Sequence, residues 1–565
     1  MKQRVIKLLS LYPIYLVLLL LYLITFIFAG FFIHVFINHW TLIAGFTSYN
    51  LAWLIYLLIR RYSKLVYAGL LLAGIATPLL FWGLTALFSH TYDVSYDGEQ
   101  YQQTAIIALS DRWNPVYQAE LPIHGEGQFS KSLVLGSPKV MWSIDASIYK
   151  LSGNINAATA INAIILLLAL ALCYMALRSL GLEAKPAILL GLLAVVTQLF
   201  IEQVFSFRQD AASYGFLIIG VSSLLISIKQ RQKLPYFLCI VTALIFLAGS
   251  KFTNIFVFVP FVILIFYIAI KYRWYRLRSL WVSGGVLVLI GCITLATPYV
   301  TNLLRYHTAD YPYNQKSMAQ FAKITDTPEN IRNDNRFELL FYGIFSWADV
   351  GNPQLATGNA HLKIPFALNS NELSNDASPF AKLVGGYGSL FSGIMVLATV
   401  SYLYLVCKRK TSEEKLSFKW LSLALGLIVL ASLLSPVPNY ARFNGQLALF
   451  PVAVATVLII RQQHKKRMAE KFMYTSLIAL LSLNLFITLA CASAFDSLAF
   501  KSLNTQLTSF RDSRYTYAVY ASTFYSNYTM LRQADISIRI ASKPLQCKNM
   551  MLLDYSRNST ELCRL

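Results

Sequence analysis

The sequence predicts an all-α polytopic membrane protein of about thirteen membrane-spanning helices, with short interfacial helices in large outer loops. Three observations carry this. Of 565 residues, 56% are hydrophobic and 13% charged, with a mean hydropathy of +0.54. Apolar runs recur that approach the roughly 20 residues needed to cross a hydrocarbon core. Cations fall into the gaps after every second run. The formal charge of +22 is therefore scattered in short clusters rather than gathered on one basic face, and no nucleic-acid partner is expected.

The N-terminal group of spans, within 1–88, covers 8–36, 41–59 and 65–88. Lys2, Arg4 and Lys7 precede the first run as in a signal peptide, but the run is too long for one and no small-x-small cleavage site follows. A first large loop occupies 89–155. Spans at 156–177, 186–205, 211–228, 234–250, 254–270 and 279–298 make up the region 156–298. A second large loop, 299–386, leads to spans 387–406, 417–434, 443–460 and 472–492, and then to a tail from about 494 to 565.

The clustered cations are Arg60, Arg61, Lys64; Arg178, Lys185; Lys229, Arg231, Lys233; Lys271, Arg273, Arg276, Arg278; Lys408, Arg409, Lys410; and Arg461, Lys465, Lys466, Arg467. The positive-inside rule makes these loops cytoplasmic, so the N-terminus lies inside and both large loops and the tail face outward. ATP and nucleotide sugars are scarce there, and the chain has no GxxxxGK[ST] loop to bind a nucleotide. An activated lipid carrier is the natural energy source for chemistry on that side.

Tyr96-Asp97-Gly98-Glu99-Gln100 places two carboxylates in the first outer loop. They form either a reaction centre at the membrane surface or a helix start, with Asp97 as N-cap and Gln100 completing a capping box. The following stretch to Trp113 predicts a short interfacial helix, stopped by Asn114-Pro115, with Ala105, Ile106, Ala108 and Leu109 on its apolar side. A second short helix starts at Ser137-Pro138 and ends at Gly153. Lys139 then sits in a first turn, where the helix dipole disfavours a cation. A bound phosphate would resolve that conflict, and lipid headgroups would do so equally.

Other outer-side charges interrupt apolar sequence: Arg208 and Asp210, Lys251 within Gly-Ser-Lys-Phe-Thr-Asn, Arg305 with His307 and Asp310, and Arg442. Ionisable groups at membrane depth are costly and are paired or functional, and a salt bridge between Asp210 and Lys251 is the structural reading. Cys173, Cys239, Cys292, Cys407 and Cys491 read as small core residues. Cys547 and Cys563 share the exported tail, where a disulfide and two free thiols are both open. There is no CxxC, HExxH or zinc-type ligand cluster.

YDGEQYQQTAIIALSDRWNP from Tyr96-Asp97, SPK at 137–139 followed by SIYKLSGN, GSKFTN, TPYVTNLLRYHTADYP, KIPFA, GGYGSLFSG and NYARFNGQ occur in an order that resembles the polytopic GT-C glycosyltransferases. That superfamily uses polyprenyl-phosphate sugars and includes protein O-mannosyltransferases and aminoarabinose transferases. The resemblance runs from about residue 92 to 460. It implies a GT-C-like bundle in a bacterial inner membrane, with Asp97 as the catalytic carboxylate and Glu99 as its assistant. Lys139 would contact the donor phosphate, with Arg442 and Lys251 as further phosphate candidates, and Asp210, Arg208, Arg305 and Tyr96 would belong to the substrate site. Two extra spans precede the usual first helix, and SPK lacks the acidic-Lys-Pro-Pro pattern of better-known relatives.

The implied reaction is displacement at a sugar anomeric carbon by an acceptor hydroxyl, with Asp97 as general base and cations stabilising the departing phosphate. The acceptor is a glycan, lipid or protein. No cofactor is required by the sequence, although Mg or Mn bridging Asp97 or Glu99 to phosphate would fit the chemistry. A lipid-glycan flippase or transporter and a polysaccharide polymerase or ligase are the alternatives. The tail reads as a small mixed domain or an acceptor-binding cap.

Overall fold

The computed structural model describes every residue except 1, 61–63, 124–127, 230–232, 316–325, 351–357, 379–381, 409–411, 466, 522–523, 548–549 and 555–559. Arg61, Arg231, Arg409, Lys410 and Lys466 of the cation clusters lie outside the described residues. The chain is an integral membrane protein. Among the described residues, eight helices are long and apolar enough to cross a membrane, and a ninth if Arg278–Thr294 and Ala296–Tyr306, bent by 59°, form one span. Four further apolar helices are shorter: Ala184–Val195, Leu234–Ser250, Phe391–Cys407 and Leu421–Leu434.

Two predicted spans are broken, each for a local reason. The stretch 186–205 becomes Ala184–Val195 and Gln198–Gln203 around an extended Thr197. There the Tyr214 hydroxyl donates to the Ala194 carbonyl at 2.6 Å, satisfying a group the helix has released. In the ninth span Pro298 cannot donate to the helix ladder, and Thr297 leaves helical geometry. The last predicted span is half of one helix, Met468–Asp512. At about 1.5 Å per residue its 45 residues are far longer than a bilayer core is thick, so its end projects into water.

The bundle is organised around Asp210–Lys229, the most enclosed candidate span, which packs between Ala160–Ser179 and Leu234–Ser250. Gly215 permits the close approach to Ala160–Ser179, since a Cβ there would collide with the Ile165 side chain. Thr41–Arg60 and Lys64–Phe88 stand at the periphery with Leu54, Ile59, Leu71 and Trp82 exposed, as expected of lipid-facing positions. The first-loop helix begins as a π-turn, Gly98–Gln102, and continues as Gln103–Ser110. It is not interfacial: every residue from Gly98 to Ser110 is buried, polar ones included, because protein covers all its faces.

The second loop is held by buried ion pairs. Lys363 of the KIPFA segment bonds Glu372 at 2.5 Å and the Ser389 carbonyl at 2.7 Å, joining it to the GGYGSLFSG segment. Lys382 reaches Glu202 at 2.6 Å. Gly388, at φ +100°, turns the chain against Asn484 of the long helix, whose amide serves Tyr387 O and Leu390 N. Here β1 (Asp349–Val350) pairs antiparallel with β2 (Lys382–Val384).

The tail is a small α/β unit. Strands β3 (Tyr517–Tyr520), β4 (Ile538–Ile540), β5 (Met551–Leu552) and β6 (Glu561–Arg564) form one sheet in the order β4-β3-β6-β5. Only the β3–β4 pair is parallel, and it is bridged by the helix Ser526–Gln533. Leu507, Phe510, Val519, Leu531 and Leu562 form its core, and Cys547 and Cys563 are disulfide-bonded.

Lys363→Met strips Glu372 of its buried partner, a change that costs roughly 3–5 kcal/mol. The detergent-solubilised variant is expected to melt several degrees lower, and Lys363→Met with Glu372→Leu is expected to recover most of the loss in the same thermal scan.

Candidate active site

The Asp97 turn is shaped by residues before it. Asp93 accepts from the Ser95 amide at 2.9 Å and the Phe207 amide at 2.8 Å, so it ties the first loop to the segment carrying Arg208. Ser95 supplies the capping predicted for Asp97: its hydroxyl accepts from Gly98 N at 3.2 Å and its carbonyl from Glu99 N at 3.0 Å. Asp97 itself has helical φ and ψ and makes no side-chain cap bond. The capping-box reading of Asp97 and Gln100 is therefore overturned, and the carboxylate is left for other work. Gly98 is required by packing, since a Cβ would collide with the Asp93 carboxylate.

Across from this turn lies the segment Ser435-Pro436-Val437-Pro438, which cannot continue the preceding helix. Asn444 secures the excursion by donating to the carbonyls of Val437, Pro438 and Tyr440 at 3.0–3.3 Å. Arg442 projects from a short 3-10 turn, Ala441–Phe443, flanked by the Tyr440 and Phe443 rings at 5.1 and 5.0 Å. Its Nη1 donates to Asp97 Oδ2 at 2.7 Å, and its Nε stands 3.9 Å from Asp210 Oδ2. Asp210, in the first turn of its helix, accepts from Lys251 Nζ at 2.6 Å. The predicted Asp210–Lys251 bridge is thus present, and it abuts the Asp97–Arg442 pair.

The Asp97 side chain is 22% exposed and that of Asp210 5%, so Asp97 is the carboxylate a solute can meet. Burial pushes its carboxyl up, but the charges of Arg442, Lys251 and Arg208 more than reverse this and hold it below the usual range. Burial pushes the Lys251 ammonium down to about 8, with Asp210 opposing the shift and Arg442 adding to it. Beside Arg442 and Asp210 lies a cavity of about 30 Å³, lined also by Ser213, Asn254, Phe443 and Gln446. It has room for water.

Arg208, 3% exposed, has no hydrogen-bond partner for Nε or Nη2 among the described residues, and its charge acts on both Asp97 and Asp210. Lys139 is placed differently from expectation. It is fully buried, its ammonium donates to the carbonyls of Leu135 at 2.7 Å and Ser137 at 2.5 Å, and it faces Trp113 at 5.6 Å. Those carbonyls close the helix Gln128–Gly136, where a cation suits the dipole, so the conflict that suggested a phosphate is resolved internally. Burial also holds its pKa well below the ordinary lysine value.

Arg305 likewise serves structure, donating to Val116 O at 2.8 Å. Glu99 is buried beside the turn, and Tyr96 sets its ring against Phe524. Asp97 is engaged by a guanidinium, and no group of three metal-type ligands occurs among the described residues. Sequence reasoning missed Asp93, Ser95 and Ser206, whose hydroxyl bonds the Ser95 hydroxyl at 2.9 Å and donates to Asp93 at 3.3 Å. The signal for the first two was available, since Asp93-x-Ser95 supplies cap-forming residues just ahead of the turn.

No protein-family model matches the chain, and no curated protein matches it. Two crystal structures are similar to it. ArnT from Cupriavidus metallidurans bound to undecaprenyl phosphate aligns over 82% of this chain and 84% of that one, at 14% identity and a TM-score of 0.40. ArnT from the same organism in the apo state aligns over 88% and 98%, at 12% identity and a TM-score of 0.34.

Lys139→Met leaves two helix-end carbonyls unsatisfied, at about 1–3 kcal/mol. A lower melting temperature is expected in a thermal scan of the detergent-solubilised protein; an unchanged melting temperature would remove Lys139 from this structural role.

Proposed function

We propose that the chain is a glycosyltransferase that moves a sugar from a polyprenyl-phosphate carrier to an acceptor hydroxyl on the extracytoplasmic face of the membrane. The observation that carries this reading is the Asp97–Arg442 pair, a partly open carboxylate latched by a guanidinium amid two further cations. Three cations, Arg442, Lys251 and Arg208, act together on Asp97 and Asp210, while Asp93 acts on Arg208 and Asp326 on Arg442.

In the proposed reaction the acceptor oxygen attacks the anomeric carbon and its proton passes to Asp97. The anomeric carbon–oxygen bond breaks, and its electron pair leaves with the polyprenyl phosphate. The carrier phosphate goes from one negative charge as a diester to two as a monoester. Fixed cations therefore stabilise the product side more than the ground state, which is what lowers a barrier. Arg208, with its unpartnered donors, takes the phosphate role that the sequence reading assigned to Lys139.

Arg442 has a double part. While it holds Asp97, the carboxylate is a weak base. When the guanidinium turns to the incoming phosphate, Asp97 loses its nearest counter-charge and its proton affinity rises where the acceptor proton must go. Lys251 keeps Asp210 neutralised during that exchange.

The test is release of free polyprenyl phosphate by the purified protein from a panel of undecaprenyl-phosphate hexoses, each with lipid and glycan acceptors. Movement of intact donor without release would indicate a flippase, and products longer by several sugars a polymerase. Asp97→Asn is expected to lower turnover by about 10²–10⁴-fold with normal membrane insertion. Arg208→Gln should weaken undecaprenyl phosphate binding by roughly tenfold or more, the worth of a charged hydrogen bond. Turnover should also fall as pH rises through about 8, because Lys251 is charged below that value and neutral above it; a flat profile from pH 7 to 10 would remove Lys251 from the charge cluster.

A further inference from the structure

The C-terminal unit touches the rest of the protein where the Asp97 turn lies. Ser526, at the start of the helix Ser526–Gln533, donates its hydroxyl to the Glu99 carbonyl at 2.8 Å across a sequence separation of 427. Both residues are buried, Ser526 to 1% exposure. Phe524 sets its ring edge-on to Tyr96 with centroids 5.5 Å apart. The two contacts therefore bracket Asp97, one residue before it and two after. Tyr92 against Phe500 at 6.0 Å and Gln533 on the Gly153 carbonyl at 3.2 Å extend the same seam.

The clamp is itself braced. The Ala521 amide donates to the Tyr528 hydroxyl at 3.0 Å, the Phe524 amide to the Ala521 carbonyl at 2.7 Å, and the Asn527 amide group to Thr560 at 2.8 Å, beside β6. Thr560 leads into the strand that carries disulfide-bonded Cys563. On its other side the Asp97 turn rests on Asp93 and Ser95, which fix its start, while Ser526 bonds its far end. The turn also begins a π-helical stretch, a backbone form that needs outside support and is common at functional sites.

From this geometry we infer that the C-terminal unit is a working part of the catalytic centre: Ser526 and Phe524 are positioning residues that hold the Tyr96–Glu99 turn so that Asp97 faces Arg442 and the acceptor. The inference rests on the proposed role of Asp97. Catalysis by a positioned base is sensitive to displacements of about 1 Å, so a slackened turn lowers turnover without changing how the donor binds. A unit that merely stabilised the fold would lower melting temperature and leave kcat per folded molecule intact.

The experiment uses the full chain in lipid nanodiscs. Hydrogen exchange of amides 95–103 is followed in wild type, Ser526→Ala and Ser526→Thr, with amides 140–152 as the internal control. In parallel, kcat and KM are measured for whichever undecaprenyl-phosphate hexose is turned over. Ser526→Ala is expected to speed exchange in 95–103 by roughly five- to tenfold, the worth of one buried hydrogen bond, with the control unchanged. Its kcat is expected to fall on the order of tenfold with KM for the donor within twofold of wild type, and Ser526→Thr, which keeps the hydroxyl, should restore both.

Unchanged exchange in 95–103 overturns the clamp. Faster exchange with unchanged kcat overturns its catalytic importance, and a raised KM for acceptor alone would make the unit an acceptor platform instead. If wild type itself turns over no donor, the glycosyltransferase reading fails, whereas the exchange comparison still decides whether Ser526 holds the turn.

Discussion

One guanidinium shared by two carboxylates is the constraint around which the rest of this protein is arranged. Arg442 joins Asp97 of the first large loop to Asp210 at the head of the central helix, and it comes from a third region some 230 residues further on. A buried arginine is costly unless its charge is matched, so each of these three segments constrains the placement of the other two. Lys251 completes the set by neutralising Asp210 from the end of the next helix. The cluster lies at one end of the bundle, where helix ends, prolines and a π-turn replace regular backbone.

Irregular backbone at that depth must find its hydrogen bonds inside the protein, and side-chain amides supply them. Asn444 serves three carbonyls beneath Arg442, and Asn439 reaches Leu383 O at 2.8 Å from the same segment. Asn302 serves the Gly136 carbonyl at 2.9 Å, and Asn484 closes the turn at Gly388. Several of the segments that suggested a glycosyltransferase, NYARFNGQ and TPYVTNLLRYHTADYP among them, thus contribute scaffold as well as charge. Their asparagines fix the loops, and the loops present Arg442 and Lys139 to quite different surroundings.

Lys139 shows how a correct local argument can leave the partner open. A cation at a helix N-terminus does call for an anion or an equivalent, and here the equivalent is the C-terminal end of the preceding helix, packed alongside. The interfacial reading of the stretch 98–113 failed in a related way. Ala105, Ile106, Ala108 and Leu109 do form an apolar side, but the polar side is covered too: Gln102 accepts from the Trp142 indole, and Thr104 is fully buried. Periodicity reports which face avoids water; it does not report whether protein also covers the other.

Sequence alone determined the membrane class and the all-α character of the bundle, because hydrocarbon thickness and backbone hydrogen bonding act on short stretches of chain. It also singled out Asp97, Asp210, Lys251, Arg208 and Arg442 as charges too costly to be incidental, and it anticipated the Asp210–Lys251 bridge. Only the tertiary structure decided which of these charges meet, since the pairs span up to 345 residues and no local pattern encodes them. The same holds for Ser95 as the true cap, for the bond between Lys139 and its own helix pair, and for the reach of Ser526 to Glu99. Each depends on where distant backbone happens to end, which is settled by packing and not by composition.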